Sequence, residues 1–312
     1  MMAIEERAHP RAAAGPAATQ SRPGTFVAAL AQMAPRLGDV RANLDRHAGL
    51  IAEARAAGAE LIVFPELSLT GYFLKDLVPD CALRLDSAEI AELAAMCSDI
   101  DAVVGCVLET EDALFFNAAL YLNRGHVTHV HCKVYLPTYG LFDEQRYLAA
   151  GSHFRAFDMP RHGGRPWRAG VLVCEDMWHP SAAAVLARQG VDILLCPSAS
   201  PGRGVHGGGG LGTAQSYDAM TRTYAQLFTT YVVYCNRVGF EDGIGFWGGS
   251  RVVAPDGQPI AGPAGSDETI LYQRLEKSAV RRARIATPLL RDERHDVNDA
   301  ETDRIRHQRS RD

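Results

Sequence analysis

The chain has 312 residues, of which 47 % are hydrophobic and 22 % charged, which provides for a large buried core and excludes global disorder. A formal charge of −5, with arginines interleaved among acids, offers no clustered basic surface for nucleic acid. No apolar run approaches the roughly 18 residues of a membrane-spanning helix, so no membrane partner is expected.

Residues 1–24 are rich in Ala, Pro, Arg and Gly without the apolar stretch of a secretory signal, and are expected to form a flexible leader or a partner-contacting arm. The ordered body is expected over 25–290. It opens with an apolar strand at 26–30, then a helix over 39–57 with an acidic start and Gly58 at its end. A strand at 61–64, a helix at 87–97 and a strand at 102–108 follow. Segments 117–122 and 127–132, separated by Asn123-Arg124-Gly125, read as a β-hairpin. After a Gly/Pro/Arg-rich connection the alternation resumes: strand 169–174, helix 180–189, strand 192–196, helix 215–229, strand 231–236. Two further strands, 249–254 and 269–275, flank a turn at Pro255-Asp256-Gly257. Residues 291–312 alternate acids and bases without apolar periodicity, as a solvated tail or an arm ordered by another subunit.

Amphipathic helices alternating with strands apolar on both faces, plus a hairpin, predict an α/β fold with mixed sheets. A layered sandwich is favoured, although periodicity alone leaves a barrel open, and no internal boundary divides the body. The seven cysteines (81, 97, 106, 132, 174, 196 and 235) form an odd set without a C-x-x-C pair. That usage fits free thiols in a reducing cytosol better than a disulfide framework.

Three strand ends carry groups suited to amide chemistry. Cys174 follows the apolar run Val171-Leu172-Val173 and precedes Glu175-Asp176. In α/β folds ligands meet the chain where strands end, and a turn beyond the thiol could aim backbone N–H groups at an oxyanion. Its acidic followers argue against full burial. Glu66, after Phe64-Pro65, could take the thiol proton and return it to a departing amine. Lys133 could lower the thiol pKa or neutralise a developing alkoxide. The bland alternatives are a buried core thiol, a surface glutamate and a solvated lysine. Glu144, in an aromatic and charged segment at 139–147, could bend over a pocket or join a surface ion-pair cluster. His129, His131 and Cys132 contain metal-ligand types, but strand alternation puts Cys132 on the face opposite the histidines, and no metal site is expected. The glycine-rich 202–212 lacks the lysine and spacing of a phosphate cradle and reads as a loop.

Taken together, these segments resemble the nitrilase-like carbon–nitrogen hydrolase family, and most of all the glutaminase domain of glutamine-dependent NAD synthetases. The resemblance is carried by Phe64-Pro65-Glu66-Leu67-Ser68-Leu69-Thr70-Gly71-Tyr72, by the run from Lys133 to Tyr147, and by Cys174-Glu175-Asp176-Met177-Trp178. Ala31-Gln32 and Phe246-Trp247-Gly248-Gly249-Ser250 fit as well, so it extends over roughly residues 25–276. It implies a four-layer α-β-β-α sandwich, commonly assembled as a homo-oligomer, with no metal or organic cofactor. It also implies Cys174 as nucleophile, Glu66 as general base and then acid, and Lys133 with the Glu175 backbone N–H as oxyanion donors. Glu144 would correspond to the family's second glutamate.

The implied substrate is a small amide, glutamine or a similar ω-amide, with aliphatic amides, N-carbamoyl compounds and nitriles as alternatives. A catalytically silent interaction subunit is the reading of a different class. No pyrophosphate-binding motif follows the hydrolase segment, so a separate ammonia-accepting synthetase partner is one expectation and a free-standing amidase another. Gly202-Arg203-Gly204-Val205-His206 replaces the aromatic and Gly-Lys elements usual before a glutamine pocket. Arg203 and His206 are therefore candidates to read a carboxylate, and Tyr139, Phe142 and Trp178 are candidates to shape the pocket.

Overall fold

The computed structural model describes residues 24–160, 166–204 and 211–309. In the first half, Thr25–Gln32 (β1) leads through helix Val40–Ala56 (α1) to Leu61–Val63 (β2), then through the short helix Val78–Cys81 (α2) and helix Ala88–Met96 (α3) to Asp101–Glu109 (β3). The Asp39 carboxylate caps α1 by accepting from the Ala42 N–H at 3.0 Å, and the Ser87 hydroxyl caps α3. Phe115–Asn123 (β4) and His126–Cys132 (β5) form the expected hairpin, with Arg124 and Gly125 both at positive φ in its turn.

The second half repeats the plan. Phe157–Met159 (β6) and Trp167–Val171 (β7) precede helix Pro180–Arg188 (α4), strand Ile193–Ser198 (β8), helix Gly212–Phe228 (α5) and strand Tyr231–Asn236 (β9). Hairpin strands Val238–Glu241 (β10) and Ile244–Trp247 (β11) follow, then Arg251–Val253 (β12) and Pro259–Ala261 (β13). The chain closes with Thr269–Glu276 (β14) and helices Lys277–Ala286 (α6), Leu289–Asp292 (α7) and His295–Arg309 (α8).

Two six-stranded mixed sheets result, ordered β14-β1-β2-β3-β4-β5 and β13-β12-β9-β8-β7-β6. Each has three parallel central strands, β1-β2-β3 and β7-β8-β9, with antiparallel strands at the flanks. Strand alternation makes four layers. Along β1, Phe26, Ala28 and Leu30 face the other sheet, where they join Val171, Leu195 and Val233. Val27, Ala29 and Ala31 face the opposite way, onto Leu44 and Ile51 of α1 and Leu93 of α3. On the second sheet Leu194 and Val232 turn outward against Leu186 of α4 and Tyr224 of α5. The architecture is the α-β-β-α sandwich of the nitrilase type, and coverage on both faces explains the unbroken apolar runs of the central strands.

Four differences from the sequence reading stand out. The strand expected over 169–174 ends at Val171, and Cys174 opens a 3₁₀ turn instead. The Pro255-Asp256-Gly257 turn joins β12 to β13, whereas the 269–275 segment crosses to the other sheet and pairs with β1. Residues 277–286 form a helix that sequence periodicity did not single out. Most of the charged tail is helical: α8 is held by local pairs such as Glu301–Arg304 and Asp303–Arg306, and by Arg188 of α4 to Asp299 at 2.8 Å. Alternating charge at helical spacing had no apolar stripe to reveal it.

Candidate functional site

The candidate groups gather beyond the strand ends of both sheets. After β2 the chain leaves the sheet at Phe64-Pro65, and the buried Glu66 carboxylate turns inward. Leu67 takes φ 50°, and the loop lies directly against β3 at Gly105, where an added Cβ would stand 2.3 Å from the Leu67 nitrogen. Glu66 accepts three hydrogen bonds of 2.7 Å: Oε1 from Lys133 Nζ and Asn117 Nδ2, and Oε2 from the Ala199 N–H. Lys133 follows β5, its own N–H bonded to the Asn117 carbonyl at 2.8 Å. Its fully buried ammonium also donates to Glu144 Oε1 at 2.7 Å, and the Tyr72 hydroxyl donates to that same oxygen. Glu144 is thus buried rather than part of a surface ion-pair cluster.

Cys174 is reached from the second sheet. Leu172 still bonds to β8 through Leu195, but at Cys174 the backbone swings to φ 45°, a left-handed conformation that a residue with a Cβ rarely adopts. The following Asp176 closes the turn by accepting from the Val173 N–H at 3.0 Å. The same carboxylate accepts from the N–H groups of Val134 and Tyr135, both at 3.1 Å, and is 2.9 Å from His131 Nε2. One buried acid therefore ties the cysteine turn to the segment just beyond Lys133. The acidic neighbours of Cys174 do not keep it exposed, as their charge implied. Cys174, Glu175 and Asp176 are all buried, and both acids have polar partners.

Electrostatics follow from this burial. Desolvation works against the Lys133 ammonium, yet the charges of Glu144 and Glu66 outweigh it and hold its pKa well above the ordinary value. Burial pushes Glu144 up to about 7, although Lys133 opposes the shift. Burial also pushes the Cys174 thiol well above its usual range, and the Glu66 charge adds to this. Lys133 does lower the thiol pKa, but not enough to reverse the rise. The resting sulfur is therefore a thiol.

Cys174 opens onto a cavity of about 360 Å³ lined by Tyr139, Phe142, Glu175, Trp178, Arg203 and Tyr217, among others. The Tyr139 hydroxyl donates to Glu175 Oε2 at 2.9 Å, and the Arg203 guanidinium lies 5.5 Å from the centre of the Phe142 ring. Larger grooves of about 500 Å³ along β5 and about 530 Å³ beside α1 contain none of the predicted residues. His206 lies outside the described residues. Among the described residues no cluster of His, Cys, Asp or Glu could hold a metal ion. His131 is occupied by Asp176, and His129 stacks on Phe157.

The structure brings Glu66, Lys133 and Glu144 into direct contact and sets Cys174, Glu175, Tyr139, Phe142, Trp178 and Arg203 around one cavity. Sequence reasoning missed Asn117, Tyr72, Asp176 and Tyr217. Asn117 is the one polar residue in an apolar run, which was the available signal; Tyr72 and Asp176 stood within the motif runs, but no role was read for them.

A model of the carbon–nitrogen hydrolase family matches residues 27–285. The glutamine-dependent NAD(+) synthetase of Acinetobacter baylyi is 31 % identical over 256 residues, which is 81 % of this chain and 44 % of that protein. The enzyme of the same name from Xylella fastidiosa is 35 % identical over 266 residues. The chain thus spans less than half the length of these curated relatives. Among solved structures, an amidase from Nesterenkonia superposes with a TM-score of 0.74 at 25 % identity, covering 91 % of this chain and 99 % of that one. The fold, the buried thiol and these matches agree: the chain belongs to the carbon–nitrogen hydrolase family, and with it to the thiol-dependent amidohydrolases.

Proposed function

We propose that the protein hydrolyses the terminal amide of glutamine or a similar ω-amide through a Cys174 thioester, releasing ammonia. The observation that carries this reading is the buried Glu66–Lys133–Glu144 cluster, whose charges act on Cys174, a cysteine in left-handed conformation that lines one cavity. In the first half-reaction the thiol proton passes to Glu66 as sulfur bonds to the amide carbon. Lys133 and the Glu175 N–H stabilise charge on the oxygen. Glu66 then protonates the leaving nitrogen, and in the second half it activates water to cleave the thioester. Glu144 fixes Lys133 from the other side.

Arg203 in the cavity wall is suited to the carboxylate end of such an amide, and the likeness to glutamine-dependent enzymes supports the same class. A second reading, a free-standing amidase for small amides, is favoured by the near full-length match to the Nesterenkonia amidase. In the first reading, ammonia passes to a synthetase partner. We take residues 25–290 as the hydrolase unit, with the flanking segments available as subunit arms of a cytoplasmic homo-oligomer. Cys81, Cys106, Cys132, Cys174, Cys196 and Cys235 are free thiols, in keeping with a reducing compartment, and no described helix is long and apolar enough to cross a membrane.

A panel of glutamine, short aliphatic amides, carbamoyl amines and nitriles, read by ammonia release and product mass, tests the proposal. Preference for glutamine supports the first reading and preference for short amides the second. Cys174→Ala is expected to abolish turnover; ammonia release that persists in it would sink the proposed nucleophile.

A further inference from the structure

We propose that Tyr217 is a catalytic hydrogen-bond donor to the Cys174 sulfur, held in that role by the indole N–H of Trp178. The proposal rests on Cys174 being the nucleophile. Tyr217 projects from α5, and its hydroxyl lies 3.3 Å from Cys174 Sγ, the one hydrogen-bond partner of that sulfur among the described residues. Trp178 Nε1 lies 3.2 Å from the same hydroxyl oxygen. An indole N–H can only donate, so it occupies a lone pair of the phenol and leaves the phenol proton to be given elsewhere. Sγ is the partner in reach. The ring cannot swing away: it is 1 % exposed, packed 4.7 Å from Tyr234 and edge-on to Trp178 at 5.8 Å.

The direction of this bond depends on the state of the sulfur. A thiolate has no proton, so Tyr217 must be the donor to it. Donation to the thiol leaves the S–H proton free to point away from Tyr217, as transfer to Glu66 requires. In the attack, the S–H proton moves to the Glu66 carboxylate, the S–C bond forms, and the carbonyl π pair moves to oxygen; the phenol proton stays on Tyr217. Burial, reinforced by the Cys174 charge, holds the phenol well above its ordinary pKa, so it remains a neutral donor. In thioester hydrolysis the sulfur is the leaving group, and the same donor stabilises its returning charge. The bond is therefore stronger to the charged sulfur than to the thioester, which is the differential that accelerates a step. Lys133 is already held by two carboxylates and makes no hydrogen bond to Sγ.

The test compares the full chain with Tyr217→Phe and Trp178→Phe, both of which keep an aromatic ring in place. Iodoacetamide alkylation of Cys174 is followed by mass against pH, together with kcat and KM for the amide best used in the substrate panel. Tyr217→Phe is expected to raise the pH midpoint of alkylation by about one unit and to lower kcat about tenfold or more, with KM little changed. Trp178→Phe should shift the midpoint in the same direction by less. An unchanged midpoint and kcat in folded Tyr217→Phe overturns the proposal. Should that variant fail to fold, an unchanged midpoint in Trp178→Phe does so. Ammonia release that survives complete alkylation of Cys174 in the unmutated protein instead defeats the nucleophile assignment, so the two failures are distinct.

Discussion

At the scale of residues, Lys133 is one buried cation facing two carboxylates, Glu66 and Glu144, at 2.7 Å each. Such a cluster is close to neutral only if an acid carries a proton part of the time, and burial pushes Glu144 up to about 7. The consequence for stability has a definite sign. Between the ordinary glutamate value of 4.5 and about 7, the folded protein binds more protons at Glu144 than the unfolded chain does. Stability from this group is therefore lost as pH rises through that window. Glutamine at 144 keeps an oxygen for Lys133 and Tyr72 but cannot titrate. We expect the stability of Glu144→Gln, relative to the unmutated protein, to improve from about pH 5 to about pH 8. Urea midpoints at the two values check this, and a relative stability that is flat or falling would contradict it. Glu66, Lys133 and Cys174 were legible as chemical types at strand ends, and Glu144 as a carboxylate in an aromatic and charged segment. That Cys174 rests as a thiol was not, because the cost of desolvation depends on burial that no local sequence states.

At the scale of elements, the site depends on strand ends from two sheets being held in register by groups that do no chemistry themselves. Asp176 is the clearest case, joining Val173, before the cysteine, to Val134 and Tyr135, after the lysine. Asp176→Asn places an amide N–H₂ where a carboxylate oxygen accepted, leaving at least one buried donor unpaired. We expect a loss of about 1–3 kcal/mol in unfolding free energy. We also expect kcat to fall about tenfold or more as the 3₁₀ turn loosens relative to Lys133. Denaturant titration and steady-state kinetics on one preparation decide it: kcat unchanged despite the stability loss would make Asp176 purely structural. Most helices and central strands were readable, because caps such as Asp39 and Ser87 and continuous apolar runs are local signals. The β10–β11 hairpin and helix α6 were not, since each takes its place by packing against distant segments.

At the scale of the whole molecule, the two sheets are joined through a shared apolar core in which Trp167 is fully buried and meets Phe26 edge-on at 4.9 Å. Glu66 follows a strand of one sheet and Cys174 a strand of the other, so the two keep their relation only while this core is filled. Trp167→Ala should cost about 3–5 kcal/mol. Because one core serves both sheets, we expect a single unfolding transition, with loss of activity coinciding with loss of circular dichroism on heating. Activity lost well before the secondary structure would contradict that coupling. By itself the sequence determined the alternation of elements, the α/β class with mixed sheets and the chemical types offered at the strand ends, because caps, apolar periodicity and motif residues act within a few positions of the chain; the four-layer sandwich came only as an implication of the family resemblance. Only the tertiary structure decided the charge-bearing partners: Asn117 on Glu66, Asp176 across the two segments, Tyr217 on the thiol, and the crossing of β14 to β1. Those pairings join residues far apart in the chain, and their energies come from burial and close approach that exist only once the two sheets have packed.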